Sequence, residues 1–384
     1  MKQIHVLAIL LILLLMVNSG CSKDPNEIIE PTNPLDTQLI VPTSPSTFTK
    51  LPHPRDAVVA AATHSKLLIA GGMERGVSSN GLLPALTIVD IYDSKTQKWS
   101  VAHLSMARYS ITAIAHQEKV FFAGGMERFD HTKASTRVDI YDAKTNSWST
   151  AELSEPRWGI IAAASGNKVI FSGGYNQDDY STLKFSRRVD IYDISTNTWT
   201  TATMTEPRVS HSASVVENKI YIAGGERPNI NPAIDIYVND FGTFSLNQSI
   251  DVYDVATNTW TKSSLSRARA RHSAAVVDDA IYWIGGTDGG SGKSMEVLDT
   301  RTHMKTQYLN SQQHSHAILP ALNRNKNIIV FSTDGWHHIA ETLDVVTGHW
   351  SKKVFPAHTY LYAYAVMDDA VYMTDGVTVW KETF

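Results

Sequence analysis

Residues 89–99 read VDIYDSKTQKW, and the phrase returns as VDIYDAKTNSW at 138–148, VDIYDISTNTW at 189–199, IDVYDVATNTW at 250–260 and, eroded, ETLDVVTGHW at 341–350. Apolar runs ending in a glycine pair or its remnant recur with it, at Gly71-Gly72, Gly124-Gly125, Gly173-Gly174, Gly224-Gly225, Gly285-Gly286, Asp334-Gly335 and Asp375-Gly376. The steps between them are roughly fifty residues, a period that denotes the blades of a ring-shaped repeat architecture.

Inside each unit the runs LLIAGG, VFFAGG, VIFSGG, IYIAGG and IYWIGG predict a buried strand, because apolar β-branched and aromatic residues fill them up to the glycines. A loop of variable length follows, then the VDIYD strand with apolar residues at alternate positions, a turn over Lys, Thr and Asn, and a Trp opening the next strand. With the strand ahead of the first run, each unit holds four.

The pattern resembles the kelch family of β-propellers from about Phe48 to the end of the chain. It is carried by the glycine pairs, by Tyr92, Tyr141, Tyr192 and Tyr253, by Trp99, Trp148, Trp199, Trp260 and Trp350, and by Arg55, Arg108, Arg157, Arg208 and Arg269 at the openings of units. The fifth unit departs from it with MEVLD and no Trp, and the last two replace the first glycine by Asp. The resemblance implies an all-β, kelch-type β-propeller of seven four-stranded blades, or six should the late units merge. The last unit is one strand short, and STFTKLPHPR aligns with QKWSVAHLSMAR, placing Phe48 at the Trp position. The expectation is therefore that the N-terminal strand near 47–51 pairs near 377–380 and closes the ring, removing its open edges.

Ahead of the ring stand two further segments. Met1-Lys2, the apolar run Val6 to Val17 and Asn18-Ser19-Gly20-Cys21 resemble a bacterial lipoprotein signal, 1–20, with the chain's one cysteine at the lipidation position. Asn18 departs from the usual Leu of such signals. Ser22 resembles the sorting signal of outer-membrane lipoproteins, so the expected location is the bacterial cell envelope, lipid-anchored at the outer membrane through Cys21. Residues 21–46, with Pro25, Pro31, Pro34, Pro42 and Pro45 among Thr, Ser and Asn, read as a disordered Pro/Ser/Thr-rich tether; a short strand over 38–41 is the alternative. The propeller domain is then 47–384. A formal net charge of −4 over 384 residues, without basic runs, argues against a nucleic-acid partner.

Activity on such a scaffold lives in its loops. In kelch proteins that bind peptides, the contact face resembles two loop sets, one after the glycine pairs and one leading into each first strand. On this chain the first set holds Glu74, Arg75, Glu127, Arg128, Tyr175, Glu226, Arg227, Asp288, Trp336, His337 and His338. The second holds Tyr109, Trp158, Ser210, Arg271, His314, Ser315 and His316. Aromatic rings beside guanidinium and carboxylate groups suit a glycan, peptide or partner protein, while the bland alternative makes Glu74-Arg75 and Glu127-Arg128 solvated or mutually paired loop charges. The five repeated arginines, with the repeated Tyr and Trp, read instead as scaffold, since a residue needed once per blade bonds the blade itself.

Two features break the repeat. Residues 226–249 form an insertion with a decoy IDIYVND, in which Tyr237, Phe241 and Phe244 belong to a projecting or self-packed hairpin. The sixth unit gathers His314, His316, His337 and His338, too few at fixed spacing for a metal site, and no metal or cofactor is expected. A monomeric, non-catalytic recognition module is the leading reading. An enzyme resembling the kelch-type sialic acid mutarotase/epimerase is the alternative, with Glu226 and Arg227 moving the proton. A copper enzyme resembling galactose oxidase needs a Cys–Tyr crosslink, and Cys21 lies outside the propeller.

Overall fold

The computed structural model describes residues 28–29, 46–76, 83–127, 133–176, 184–231, 236–238, 244–289, 294–309, 321–333, 338–355 and 361–383. All of their regular structure is β. The first unit sets the plan: Val59–Thr63, Lys66–Ala70, Ile88–Asp93 and Lys98–His103 form one antiparallel sheet in chain order. Equivalent four-strand sets span 112–152, 161–203, 212–264, 273–309 and 322–354. A seventh sheet contains Ala363–Met367, Ala370–Thr374 and Thr378–Glu382, and its fourth strand is Ser46–Lys50.

The expected closure is present. Thr47 lies opposite Trp380 and Lys50 opposite Thr378, while a bulge between Thr47 and Thr49 frees Phe48 from the ladder. Phe48 then sets its ring edge-on to Tyr92 of the first sheet, 5.1 Å between centroids, and to Tyr372 of the seventh, 5.4 Å. The strand begins at Ser46, one residue ahead of the expected boundary. The expected tether contributes one described stretch, Ile28–Ile29, which pairs parallel to Gln307 and Tyr308 at the outer edge of the fifth sheet.

The core is divided among the gaps between neighbouring sheets, because each sheet is apolar on both faces. Ala61, Leu68 and Val89 of the first sheet meet Val120, Phe122 and Tyr141 of the second. Comparable clusters fill each following gap, and Leu67, Ile69 and Tyr92 meet Ala365, Met367 and Tyr372 where the seventh sheet returns to the first. This is a closed β-propeller.

The repeated phrase explains the outer half of the first four sheets. Tyr92 lies directly opposite Trp99 with ring centroids 5.3 Å apart, and Tyr253 opposite Trp260 at 4.8 Å, pairs worth about 0.5–1.5 kcal/mol beyond their burial. In the intervening turn, the Asp93 carboxylate accepts the Lys95 and Thr96 N–H groups, the Asx geometry that suits Asp there. Asn146 and Asn258 take positive φ values of 53° and 57°, and their side-chain oxygens accept from the Tyr141 and Tyr253 hydroxyls at 2.9 and 2.6 Å.

Candidate functional site

The glycine pairs and the repeated arginines form one device. Gly71 has φ +62°, and a Cβ there would lie 2.6 Å from the Arg108 carbonyl of the next unit; one on Gly72 would lie 2.5 Å from the Asp56 carbonyl. The backbone thus passes where no side chain fits. Arg108 reaches into its own unit, donating from Nη1 to the Gly124 and Arg137 carbonyls at 2.5 and 2.8 Å and from Nη2 to the Asp139 carboxylate. The other Asp139 oxygen accepts the Ser105 N–H at 2.8 Å. Arg157 with Asp190 and Arg208 with Asp251 repeat the arrangement, and Arg55 with Asp90 is its first instance. All five arginines are fully buried. Burial lowers each guanidinium pKa, and in these four the facing carboxylate opposes that shift. These residues are scaffold, as their recurrence implied. The partner of the first four, the first Asp of VDIYD or IDVYD, was readable as a repeated acid and was missed.

The same geometry brings the two loop sets together. The residue after each opening arginine forms a β-bridge with the residue after the glycine pair: Asp56 with Met73, Tyr109 with Met126, Trp158 with Tyr175, Val209 with Glu226 and Ala270 with Thr287. The following residue, Ala57, Ser110, Gly159, Ser210 or Arg271, takes a positive φ between 48° and 65° as the chain turns into the first strand. In these five units the described residues of both sets therefore occupy one end of the ring, opposite the turns that follow the third strands.

Register decides which predicted residues share a site. Glu74 and Glu127 stand second after their glycine pairs, whereas Glu226 stands first, and a one-residue slip turns a strand side chain to the other face. Glu74 is exposed. Arg75 lies 3.5 Å from Asp56, Glu127 lies 2.6 Å from Lys133 Nζ, and Arg227 donates to Glu206 at 3.1 Å. These are local surface pairs rather than a shared ring of charge. Asp288 is buried and accepts from the Ser294 hydroxyl at 2.5 Å.

Glu226 is different: only 7% of it is exposed, and its Oε1 accepts from Arg271 Nε at 2.7 Å. Among the described residues its Oε2 has no hydrogen-bond partner. Beside it, Trp158 stacks on Tyr175 at 4.4 Å, Tyr175 meets the edge of Phe185 at 5.1 Å, and Phe185 meets Phe244 at 5.1 Å. Burial, and secondarily the Glu226 carboxylate, push the Tyr175 phenol up to about 12, against a smaller opposing effect of Arg271. Trp158, Tyr175, Glu226 and Arg271 thus come together as one cluster over the third to fifth units. Phe185 belongs to it and was missed, because it precedes the VDIYD strand on the far side of a variable loop.

The insertion is a three-stranded ribbon. Glu226–Asn231 pairs with Phe244–Leu246 at its base and with Ile236–Val238 farther out, so the described part of the decoy, 236–238, lies in this ribbon and not in the main sheet. Cys21, Arg128, Phe241, His314, Ser315, His316, Trp336 and His337 lie outside the described residues, and His338 opens the strand His338–Asp344. No three His, Cys, Asp or Glu side chains group as metal ligands among the described residues.

Two buried histidines lie beneath this end. His211 Nε2 is 3.0 Å from Ser172 Oγ, and His272 Nε2 is 2.8 Å from Ser212 Oγ. They occupy the space against Gly173 and Gly224 that Ile111 and Ile160 fill against Gly71 and Gly124. Burial first, then the nearby Arg208 and Arg269 respectively, hold both well below the usual imidazole range, His272 at about 3.

Against known families, residues 159–374 match the KLHDC2/KLHL20/DRC7 Kelch-repeats domain. The chain is a kelch-repeat protein. It is 30% identical to alpha-scruin of Limulus polyphemus over 106 residues, which is 27% of this chain and 11% of that protein. It is 27% identical to human Kelch-like protein 28 over 105 residues, 27% of this chain and 17% of that one. The chain therefore spans less than a fifth of the length of either relative. Among solved structures, YjhT superposes with a TM-score of 0.52 at 15% identity, covering 79% of this chain and 99% of that one, a likeness of fold.

Proposed function

We propose that this kelch protein is a lipid-anchored, non-catalytic recognition module: a seven-bladed propeller over 47–384, carried on a tether from Cys21 at the outer membrane, that binds a glycan, peptide or partner protein at the glycine-pair end. The observation that carries the reading is the cluster of Trp158, Tyr175, Phe185, Glu226 and Arg271, set where the two loop sets meet and made of residues that do not recur from unit to unit. Repetition serves the ring, so what departs from it is left for a ligand. Kelch propellers are protein-interaction scaffolds in general, which favours a protein or peptide among the three. The epimerase reading keeps Glu226 as its proton carrier, now with Arg271 rather than Arg227 as the neighbouring cation.

Binding is tested with glycan and peptide arrays on the full chain and on a Trp158→Ala/Arg271→Ala variant. A loss of signal of about tenfold is expected there, and none from Lys95→Ala/Lys144→Ala at the opposite turns. Equal loss in both variants sinks the assignment of the face. Anchoring is tested by Cys21→Ser, which should move the protein from the membrane to the soluble fraction; an unchanged distribution removes the lipid from the proposal.

A further inference from the structure

The gap between the third and fourth sheets departs from its neighbours at the outer rim. On the fourth sheet, Lys262 lies opposite Asp251, the first acid of the repeated phrase. The residues in that place are Val101, Thr150 and Thr201 on the first three sheets and Gln307 on the fifth. On the third sheet, Arg187 stands two residues before the phrase, where its carbonyl accepts the Met204 N–H; Thr87, Thr136 and Gln248 hold that place in the first, second and fourth units. Thr87 and Thr136 each bond the last residue of their sheet's fourth strand, His103 and Glu152. In the third unit that residue is Thr203, so no acid stands there to hold Arg187. Of the four gaps from the first sheet to the fifth, this one alone carries a cation on both sides.

The two cations line a cleft of about 260 Å³, together with the half-buried Trp260, whose ring stacks on Tyr253. Strand alternation puts Trp260 and Lys262 on one face, the face of Tyr253 and Asp251 that looks toward the third sheet. Arg187 and Lys262 are exposed, so the cleft is reached from solvent. Neither cation, nor the Trp260 indole N–H, has a hydrogen-bond or ion-pair partner among the described residues. All three are donors that cannot accept. The acid at the bottom of the cleft, Asp251, is 3% exposed and already engaged: one oxygen accepts from the Thr205 N–H at 2.9 Å and from its hydroxyl, the other from the buried Arg208 at 2.5 Å. Arg208 balances its charge, and the two rim cations are left over.

We propose that this cleft is a binding site for a small phosphate or sulfate monoester, sharing no residue with the cluster at the glycine-pair end. The Arg187 guanidinium takes oxygens of the tetrahedral group with its planar fork, Lys262 adds a point charge, and the Trp260 N–H supplies the neutral donor. Such a group offers three terminal oxygens to three donors, where a carboxylate offers two. The cleft is several times the roughly 30 Å³ of a water and just below the roughly 300–1,000 Å³ of sites for drug-sized ligands, which suits the ion with a short organic group attached.

The test is an NMR titration of the nitrogen-15-labelled full chain in a non-ionic detergent at fixed ionic strength, following the Trp260 indole N–H, assigned by its loss in Trp260→Phe. The probes are methyl phosphate, methyl sulfate and acetate. At least one ester should shift the signal saturably, and which of the two binds tells phosphate from sulfate. Arg187→Thr and Lys262→Thr install the residue type that other units carry at these exposed places, so both should melt as the wild type does while each weakens the ester about tenfold. Lys262→Arg keeps the charge and should retain most of the affinity. A signal that neither ester moves, or ester binding that survives both threonine substitutions, overturns the site. Acetate binding as tightly as the esters overturns the ligand class.

Discussion

Acid should destabilise this propeller through His272, and the effect can be sized. The ring is fully buried with a pKa of about 3, against 6.5 for the free side chain. The unfolded chain therefore binds the proton first, below about pH 6.5. This contribution is fully present above that pH and is lost progressively as pH falls toward 3. At about 1.4 kcal/mol per pH unit, moving from pH 7 to pH 5 removes about 2 kcal/mol. His211 acts in the same direction. The diagnostic variant is His272→Ile, which installs the residue type that Ile111 and Ile160 hold at the same place. Its absolute stability also reflects the lost Ser212 contact of 2.8 Å, so the quantity to compare is the change between the two pH values. Urea unfolding at pH 7 and pH 5 should show the wild type losing about 2 kcal/mol more than the variant. Equal losses would mean that His272 is solvated or already protonated in the fold, and the reasoning fails.

Two further outcomes follow from the scaffold. Arg157→Ala should cost about 3–5 kcal/mol, because it strands the buried Asp190 carboxylate, whereas Arg75→Ala, which removes a half-exposed pair at 3.5 Å, should cost under about 1 kcal/mol; similar losses in urea unfolding would undo the division between scaffold and face. Deletion through Leu51 removes the fourth strand of the last sheet together with Phe48 and should broaden and lower the thermal transition, so an unchanged melt would show that closure contributes nothing.

The ring was legible in the sequence because its causes are local and repeated. A Cβ cannot pass the Arg108 carbonyl, so Gly71 and its equivalents are glycine; a Tyr must meet a Trp across a turn, so both recur. The arginines were readable as scaffold for the same reason. The site was less legible because it depends on register, which shared letters can mislead. Glu226-Arg227 looks like Glu74-Arg75, yet it stands one residue nearer its glycine pair, and that single step turns Glu226 inward to Arg271. The match of Arg271 to Glu226 spans two units and left no local signature. Nor did the approach of Phe185 to Tyr175, which is set by the pairing of Lys184–Phe185 with Tyr175–Asn176. His211 and His272 carry no local mark of the position they share with Ile111 and Ile160, each against the glycine pair of the preceding unit.

The pairing of Ser46 with Lys381 sets a timetable for the molecule's birth. The partners are separated by 381 − 46 = 335 positions, and at roughly 5–20 residues per second the ribosome needs tens of seconds to make the second after the first. Through that interval the strand Ser46–Lys50 has no ladder to join, and the face of the first sheet carrying Leu67, Ile69 and Tyr92 has no neighbour. Joining the ends then carries a chain-entropy cost of about 5 kcal/mol, met in one late event. The nascent chain is thus an open crescent whose two ends stay unpaired until the final sheet forms.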